Sequence, residues 1–216
     1  MINWQKINTV LLDMDGTLLD LHFDNYFWQE YLPKEYARSR GLDVVTAKHV
    51  LAPKFHRLAG SLNWYCVDYW SKEFNIDIEA LKREVADRIC FKPTTIEFLS
   101  WLKEHNKRSV LVTNAHPKSL NLKLERTNLG HYLDRIISAH DLGLPKENVK
   151  FWDKLQKIET FDPASSLLID DNFFALKTAQ QFGIAYLLAI LNPCSKTAHQ
   201  TTTDFPGITD FHEIIP

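Results

Sequence analysis

Five short runs of apolar and β-branched residues recur along this chain of 216 residues, and each has the length of a β-strand. Helical patterns separate the later runs, and one of them ends just before Gly183, as a helix with a C-terminal glycine does. The strand patterns span residues 7–12, 109–113, 135–138, 166–169 and 184–190. Alternating strands and helices predict βαβ units, and therefore an α/β fold with a parallel sheet and helices on both of its faces.

Residues 20–91 interrupt this alternation, because they contain helical patterns and no convincing strand pattern. We therefore predict a core formed by residues 1–19 and 92–216, with a helical segment of residues 20–91 inserted after the first strand. The best helical patterns in the segment span residues 44–58, 63–74 and 78–89. The segment is rich in aromatic residues, which either form its own small core or, for a minority, face a ligand.

The composition suits a folded protein: 45% of the residues are hydrophobic, 24% are charged, and the net charge is −2. A slightly acidic chain with no basic stripe favours neither disorder nor nucleic-acid binding. No apolar run approaches the roughly 20 residues that span a bilayer, and the first residues lack the apolar stretch of a secretory signal. We therefore expect a cytoplasmic protein without membrane contact. The sequence carries no prediction of the oligomeric state.

The three cysteines, Cys66, Cys90 and Cys194, lie far apart and form no CxxC pair. Neither a disulfide framework nor a thiolate zinc site is expected, and the cysteines are interpreted as reduced thiols. The histidines, His140 among them, predict no metal site either, because none pairs with other ligands at short spacing.

The first strand pattern continues as VLLDMDGTLLD and ends in Asp13 and Asp15, beside Gly16. Side chains two residues apart start on the same face of a strand, so both carboxylates can converge on one ligand where the chain turns at the glycine. In a parallel sheet, ligands bind beyond the carboxyl ends of the strands. The alternative is a plain Asp-Gly turn, which is a common hairpin signal.

A second strand pattern, SLLIDDN, also ends in adjacent acids, Asp170 and Asp171. Two strands that end in carboxylates at one edge of a sheet concentrate negative charge, which is stable only when a cation holds the carboxylates together. Oxygen ligands without a histidine or cysteine cluster indicate Mg²⁺. A third pattern, VLVTNA, ends in Thr113 and Asn114, where a hydroxyl and the following backbone N–H groups suit an anion.

Taken in order, DMDGT, the strand-terminal Thr113, Lys146 in GLPKEN, and LLIDD resemble the four motifs of the haloacid dehalogenase superfamily. The resemblance implies a Rossmann-like core whose first strand lies between the strands that carry Thr113 and Asp170. It also implies that residues 20–91 form the cap that many members carry at that place. No acid follows Asp171 closely, which departs from the commonest form of the last motif.

The same resemblance implies phosphoryl transfer. Asp13 would act as the nucleophile that becomes an aspartyl phosphate, and Asp15 as the general acid and base. The implied Mg²⁺ ligands are Asp13, the backbone carbonyl of Asp15, and Asp171, with Asp170 in a supporting position. The implied phosphate ligands are Thr113, Asn114 and Lys146, the last with a rival in Lys150.

A closer resemblance covers most of the chain. The stretches TVLLDMDGTLLDLHFDNYFW, LNWYCVDYW and TNAHPKSL are similar to bacterial GMP/IMP nucleotidases, which implies a purine nucleoside monophosphate as the substrate. Trp64 and Tyr65 then suit stacking on a purine, and Asn63 suits a hydrogen bond to its edge. His116 is a further candidate for substrate contact. The alternative enzyme is a phosphatase or phosphomutase of the same superfamily that acts on sugar phosphates or other small phosphorylated metabolites.

Overall fold

The computed structural model describes residues 2–216, and its strands form one six-stranded sheet. They are β1 (Thr9–Leu12), β2 (Arg108–Thr113), β3 (Arg135–Ser138), β4 (Ser166–Asp170), β5 (Tyr186–Ile190) and β6 (Gly207–Ile208). Their order is β3-β2-β1-β4-β5-β6, and every neighbouring pair runs parallel. The predicted α/β class is confirmed, and β1 lies between β2 and β4 as the family resemblance implied.

In the described part of the chain, eleven α-helices, all in the segments that connect the strands along the sequence, complete the fold. They are α1 (His22–Tyr26), α2 (Leu32–Arg40), α3 (Val44–Leu58), α4 (Leu62–Tyr65), α5 (Val67–Phe74), α6 (Ile78–Glu84), α7 (Thr95–Glu104), α8 (Pro117–Thr127), α9 (Ala139–Leu142), α10 (Val149–Ile158) and α11 (Phe173–Phe182). Periodicity did not single out α7 or the short strand β6. Among residues 2–216, none of the helices combines the length and hydrophobicity that crossing a bilayer requires.

The central strand β1 shows how one apolar run serves two cores. Val10 and Leu12 pack into a cluster with Phe98 of α7, whereas Leu11 packs into a second cluster with Phe151 of α10. Side chains alternate along a strand, so the two clusters lie on opposite faces of the sheet. Helices therefore cover both faces, as the alternation of strand and helix patterns predicted, and the near-continuous apolar character of the strands agrees with this burial.

Helices α1 to α6 lie between β1 and α7 along the chain and share a cluster of buried apolar side chains that includes Phe27. Within it the rings of Trp70 and Phe74 stack with centroids 5.1 Å apart. Leu122 of α8 belongs to the same cluster, so these helices pack on the rest of the fold through α8. Most of the aromatic side chains in this part of the chain thus form a core.

Two of the predicted helices differ from the observed ones. The helix predicted over 63–74 is two helices, α4 and α5, because the backbone is extended at Cys66 (φ −82°, ψ 108°). The Sγ atom of Cys66 accepts a hydrogen bond from the N–H of Tyr69 at 3.3 Å and caps the start of α5. The helix predicted over 78–89 ends at Glu84 and continues as a 3₁₀ turn. Apolar residues continue through both breaks, so periodicity did not reveal them.

A further helical stretch, not among the best sequence patterns, joins α1 to α2 through the π-helical turn Phe27–Tyr31. Pro33 follows this turn and has no N–H to donate to the carbonyl of Gln29, which favours the wider turn at this point. Trp28 and Gln29 lie on the turn and line a cavity between the inserted helices and α8.

Candidate active site

Strands β1, β2 and β4 are parallel neighbours, so their carboxyl ends meet at one edge of the sheet. Asp13 directly follows β1, and its N–H donates to the carbonyl of Ile169 at 3.0 Å, which continues the pairing with β4. Thr113 ends β2, and Asp170 ends β4. The fold therefore brings together three predicted site residues that are far apart in the sequence.

Lys146 lies at the centre of this edge and is 1% exposed. Its Nζ is 2.5 Å from Oδ1 of Asp13 and 2.7 Å from Oδ2 of Asp170. Burial disfavours the ammonium form, but the two carboxylates outweigh it and hold the pKa of Lys146 above its ordinary value. The rival Lys150 is exposed, at the start of α10. The structure thus places Lys146, and not Lys150, beside the carboxylates at the sheet edge.

The carboxylates of Asp13, Asp170 and Asp171 contribute oxygens that all lie within 4.8 Å of one another. Lys146 pairs with Asp13 and Asp170, so with all three carboxylates ionised the group would carry a net charge of −2. Burial, reinforced by Asp13, raises the pKa of Asp170 to about 7 although Lys146 opposes the change. Burial and then Asp13 and Asp170 raise the pKa of Asp171 well above its usual range. Such a group is stable when a cation joins it.

One oxygen of this group has the environment of a metal ligand. Oδ2 of Asp13 is buried and has no hydrogen-bond partner among residues 2–216. An unpaired buried carboxylate oxygen is costly, and a hard divalent cation with oxygen ligands removes that cost. The residues at this edge therefore fit Mg²⁺.

Gly16 makes room for the last of these carboxylates. Its φ is +89°, a conformation that side chains other than glycine rarely adopt, and a Cβ atom at this position would lie 2.6 Å from Oδ2 of Asp171. The glycine of the DMDGT motif is thus required both by the turn and by the approach of Asp171.

The polar residues after β2 are held by the protein itself. Oγ1 of Thr113 accepts the N–H of Ala115 at 3.0 Å. Asn114 uses both ends of its amide: Oδ1 accepts the main-chain N–H of Lys146 at 3.0 Å, and Nδ2 donates to Glu147 at 2.9 Å. Asn114 therefore orients the loop that carries Lys146, and its predicted contact with phosphate stays a prediction.

Glu147, which the sequence analysis did not select, links the loop to the inserted helices. Its Oε1 accepts hydrogen bonds from the hydroxyl of Tyr65 at 2.5 Å and from Nδ2 of Asn172 at 2.8 Å. Tyr65 ends α4, whereas Asn172 follows β4 and caps α11. The carboxylate of Glu147 thus connects the inserted helices to the core next to the site.

Asp15 belongs to a second buried network of charges. Nζ of Lys123 is 2.7 Å from Oδ1 of Asp15 and 2.6 Å from Oδ2 of Asp24, and Nζ of Lys82 is 2.7 Å from Oδ1 of Asp24. Burial raises the pKa of Asp15 to about 6, with Lys123 opposing and the charge of Asp24 adding to the rise. This network connects a predicted catalytic residue to α1 and α6 of the inserted segment.

Two cavities adjoin at Asp15. The edge cavity, of about 400 Å³, is lined by the charged residues Asp13, Asp171 and Lys146 among others. The aromatic cavity, of about 360 Å³, includes the rings of Trp28, Phe55, Trp64 and Trp70 in its wall. Asp15 and Tyr65 line both cavities. Each volume is in the range of cavities that hold small molecules.

The aromatic cavity corrects part of the sequence analysis. Trp64, Tyr65 and His116 do line a cavity, but Asn63 is exposed and does not, so a role in contacting a purine edge is not supported for it. Asn25 and Gln29 are the amide side chains that line this cavity instead.

The sequence analysis did not select Lys123, although its position on the buried face of a helix could have indicated a role. It lies three residues after Leu120 on α8, so helical periodicity places a lysine on the buried face of that helix. Long cationic side chains seldom occupy such a position without a partner. The partners Asp15 and Asp24 come from other elements, and only the folded structure identifies them.

A profile of haloacid dehalogenase-like hydrolases matches residues 7–183. The chain belongs to this family. The GMP/IMP nucleotidase YrfG of Escherichia coli (strain K12) is 41% identical over 215 residues, which cover 100% of this chain and 97% of that protein.

Solved structures of related proteins have the same fold. A HAD phosphatase from Thermococcus onnurineus gives a TM-score of 0.77 at 22% identity, covering 96% of this chain and 95% of that one. The HAD-hydrolase YfnB of Bacillus subtilis, solved bound to magnesium, gives 0.66 at 17% identity and covers 96% of each chain. The predicted family, fold and enzyme class, a phosphoric monoester hydrolase, are confirmed.

Proposed function

We propose that this protein is a Mg²⁺-dependent 5′-nucleotidase that hydrolyses purine nucleoside monophosphates such as GMP and IMP. The observation that carries the proposal is the meeting of a charged cavity and an aromatic cavity at Asp15. A nucleoside monophosphate has two matching parts, an anionic phosphate and a flat base that stacks on aromatic rings. Similarity over the full chain to a GMP/IMP nucleotidase supports the same substrate class.

Asp13 is the proposed nucleophile and Asp15 the proposed acid and base. An oxygen of Asp13 attacks phosphorus, and the bond between phosphorus and the 5′ oxygen of the nucleoside breaks. Asp15 donates its proton to that oxygen, which leaves as an alcohol. Asp15 then takes a proton from the water that attacks the aspartyl phosphate, and inorganic phosphate and the Asp13 carboxylate are released. The position of Asp15 between the two cavities supports this role.

The proposed Mg²⁺ ligands are Asp13, the main-chain carbonyl of Asp15, and Asp171. When bound there, the cation reduces the repulsion between an anionic nucleophile and an anionic substrate. The unpartnered Oδ2 of Asp13 supports this assignment. Asp170 has a different proposed role, because one of its oxygens accepts from Lys146 and the other accepts the N–H of Asn172 at 2.9 Å. It positions Lys146.

Lys146 is proposed to bind the phosphoryl group and to stabilise the charge that develops on it, together with Thr113. Its present partner Asp13 is the residue that substrate approaches, so the ammonium group already lies beside the reacting atoms. Asn114 fixes the loop that carries Lys146. We also propose that the side chain of Asn114 contacts the phosphate.

The inserted residues 20–91 are proposed to act as a cap over the core formed by 1–19 and 92–216. Trp28 and Trp64 line the aromatic cavity from the cap side, and Ser119 and Lys123 line it from α8. The two walls would shield a bound substrate from water, and the shape of the cavity between them would select substrates by the leaving group that fits there.

The test is phosphate release from a panel of purine and pyrimidine nucleotides, sugar phosphates and an aryl phosphate, with Mg²⁺ and with a chelator. We expect release that requires the metal and is fastest with GMP and IMP. Broad release without purine preference would contradict the substrate assignment and leave the phosphatase chemistry in place. Isomerisation of a sugar phosphate without free phosphate would identify a phosphomutase instead.

A further inference from the structure

Three potential metal ligands meet at the junction of the inserted helices and the core, although their spacing in the sequence predicted no metal site. Cys66 lies between α4 and α5, His116 precedes α8, and His140 lies in α9. Ligand atoms of these three side chains, one from each, all lie within 4.8 Å of one another. The sequence did not predict this cluster, because the three residues are far apart along the chain and no two of them are closely spaced.

The sheet explains why the two histidines adjoin. β2 and β3 are parallel neighbours, and His116 and His140 lie just beyond their carboxyl ends. The two imidazole rings pack edge to face with centroids 4.8 Å apart. Cys66 reaches them from the inserted helices, where the chain is extended between α4 and α5. The cluster thus joins the inserted segment to the core.

One atom of the cluster has no partner. Nε2 of His140 is buried and makes no hydrogen bond to any of residues 2–216. A buried ring nitrogen without a partner is costly, and such groups commonly mark an ion or water site. Burial lowers the pKa of His140 to about 4, and burial also lowers the pKa of His116, so both imidazoles are neutral at neutral pH. A neutral imidazole is the form that binds metal.

We infer that Cys66, His116 and His140 form a binding site for a thiophilic transition metal such as Zn²⁺, separate from the carboxylate site. Thiolate and imidazole ligands suit zinc, whereas Mg²⁺ prefers the oxygens at the sheet edge. Three protein ligands leave one tetrahedral position for water or for Asp68, whose Oδ2 is 3.7 Å from Nε2 of His116. On binding, the Cys66 thiol loses its proton to solvent and the thiolate takes the metal.

The site has a consequence for the cap. A metal held by Cys66 on one side and by His116 and His140 on the other would fasten the inserted segment to the core. The hydrogen bond from Tyr65 to Glu147 crosses the same junction. Bound metal adds a second and stronger link there, and this link limits any opening that substrate entry requires.

The test is titration of the full chain with Co²⁺ in the presence of a non-thiol reductant. Cobalt bound by a thiolate gives a sulfur-to-metal charge-transfer absorption, which cobalt at the carboxylate site does not give. We expect this band in the wild-type protein and its loss in Cys66→Ser and in His140→Ala. Cys90→Ser is the matched control, because Cys90 is an exposed cysteine outside the cluster, and it should keep the band.

Thermal unfolding gives a second readout. Zn²⁺ at a hundredfold excess over its dissociation constant should raise the melting temperature of the wild-type protein by about 5 °C more than that of Cys66→Ser, in which the carboxylate site remains. Serine preserves the cap of α5, so Cys66→Ser should fold normally without metal. A wild-type protein that shows no thiolate band, or a Cys66→Ser protein that retains it, would overturn the assignment.

Discussion

The sheet edge and the junction between the sheet and the inserted helices each contain a buried lysine between two carboxylates. At the edge, Lys146 pairs with Asp13, which follows β1, and with Asp170, which ends the neighbouring strand β4. At the junction, Lys123 pairs with Asp15 of the core and Asp24 of α1. The first group consists of two strand ends and a core loop, whereas the second includes a residue of the inserted helices.

The two lysines therefore differ in whether their ion pairs involve the inserted helices. The edge group contains no residue of the inserted helices, so the proposed nucleophile and its lysine can pair without them. The junction group depends on α1 for Asp24, and without Asp24 the anionic partner of Lys123 would be Asp15 alone. The second lysine thus couples the position of the helices to the environment of the proposed acid and base.

The largest expected effect is at the edge. Asp13→Asn removes the nucleophile with little change in volume, so kcat for GMP should fall by about a thousandfold or more. Asp153→Asn, on the exposed face of α10, is the control and should retain wild-type activity. Substantial turnover by Asp13→Asn would exclude an aspartyl phosphate on this residue.

The second-largest loss of activity is expected for Lys146, and a comparison with Lys150 tests it. Lys146→Met should lower kcat by about 10²- to 10³-fold, because it removes positive charge from the site of charge development. Lys150→Met changes an exposed lysine four residues further on and should have little effect. Equal losses in the two variants would mean that the choice between these lysines is wrong.

At the junction we expect a smaller loss. Lys123→Met leaves Asp15 and Asp24 without their shared cation, and kcat should fall by about 10- to 100-fold for nucleotides and for an aryl phosphate alike. KM for the aryl phosphate should change little, because Lys123 acts through the position of Asp15. Loss of a buried ion pair also destabilises a fold, by about 3–5 kcal/mol, so activity is compared below the melting temperature of each variant.

Two controls accompany the junction experiment. Lys123→Arg keeps the charge and should restore part of kcat. Arg126→Met, at an exposed position of the same helix, should behave as wild type. If Lys123→Met alters stability and leaves kcat unchanged, the lysine is structural and the coupling to Asp15 fails.

The smallest effect is expected in the aromatic cavity. Trp64→Ala should lower kcat/KM for GMP by about tenfold, the size of one base-stacking contact, and leave that for an aryl phosphate nearly unchanged. Val45→Ala, on the exposed side of α3, is the control. Equal losses on both substrates would show that Trp64 supports the fold of the segment and does not select the base.

The sequence by itself predicted the sheet and its edge. Short apolar runs predicted the parallel sheet, the acids that follow two of them predicted the convergence of Asp13 with Asp170 and Asp171, and the family resemblance implied that β1 lies between β2 and β4. Those inferences succeed because parallel strands place their carboxyl ends together whatever the rest of the chain does. The position of Lys146 was also predicted, through a motif that places it in a loop near that edge.

Only the tertiary structure decided the junction. Lys123 with Asp24, Tyr65 with Glu147, and Cys66 with the two histidines depend on how helices dock. Local periodicity reports which face of a helix is buried, but it carries no information about which residue lies opposite. Contacts between distant elements follow from packing of the whole fold, and for that reason the sequence alone could not identify them.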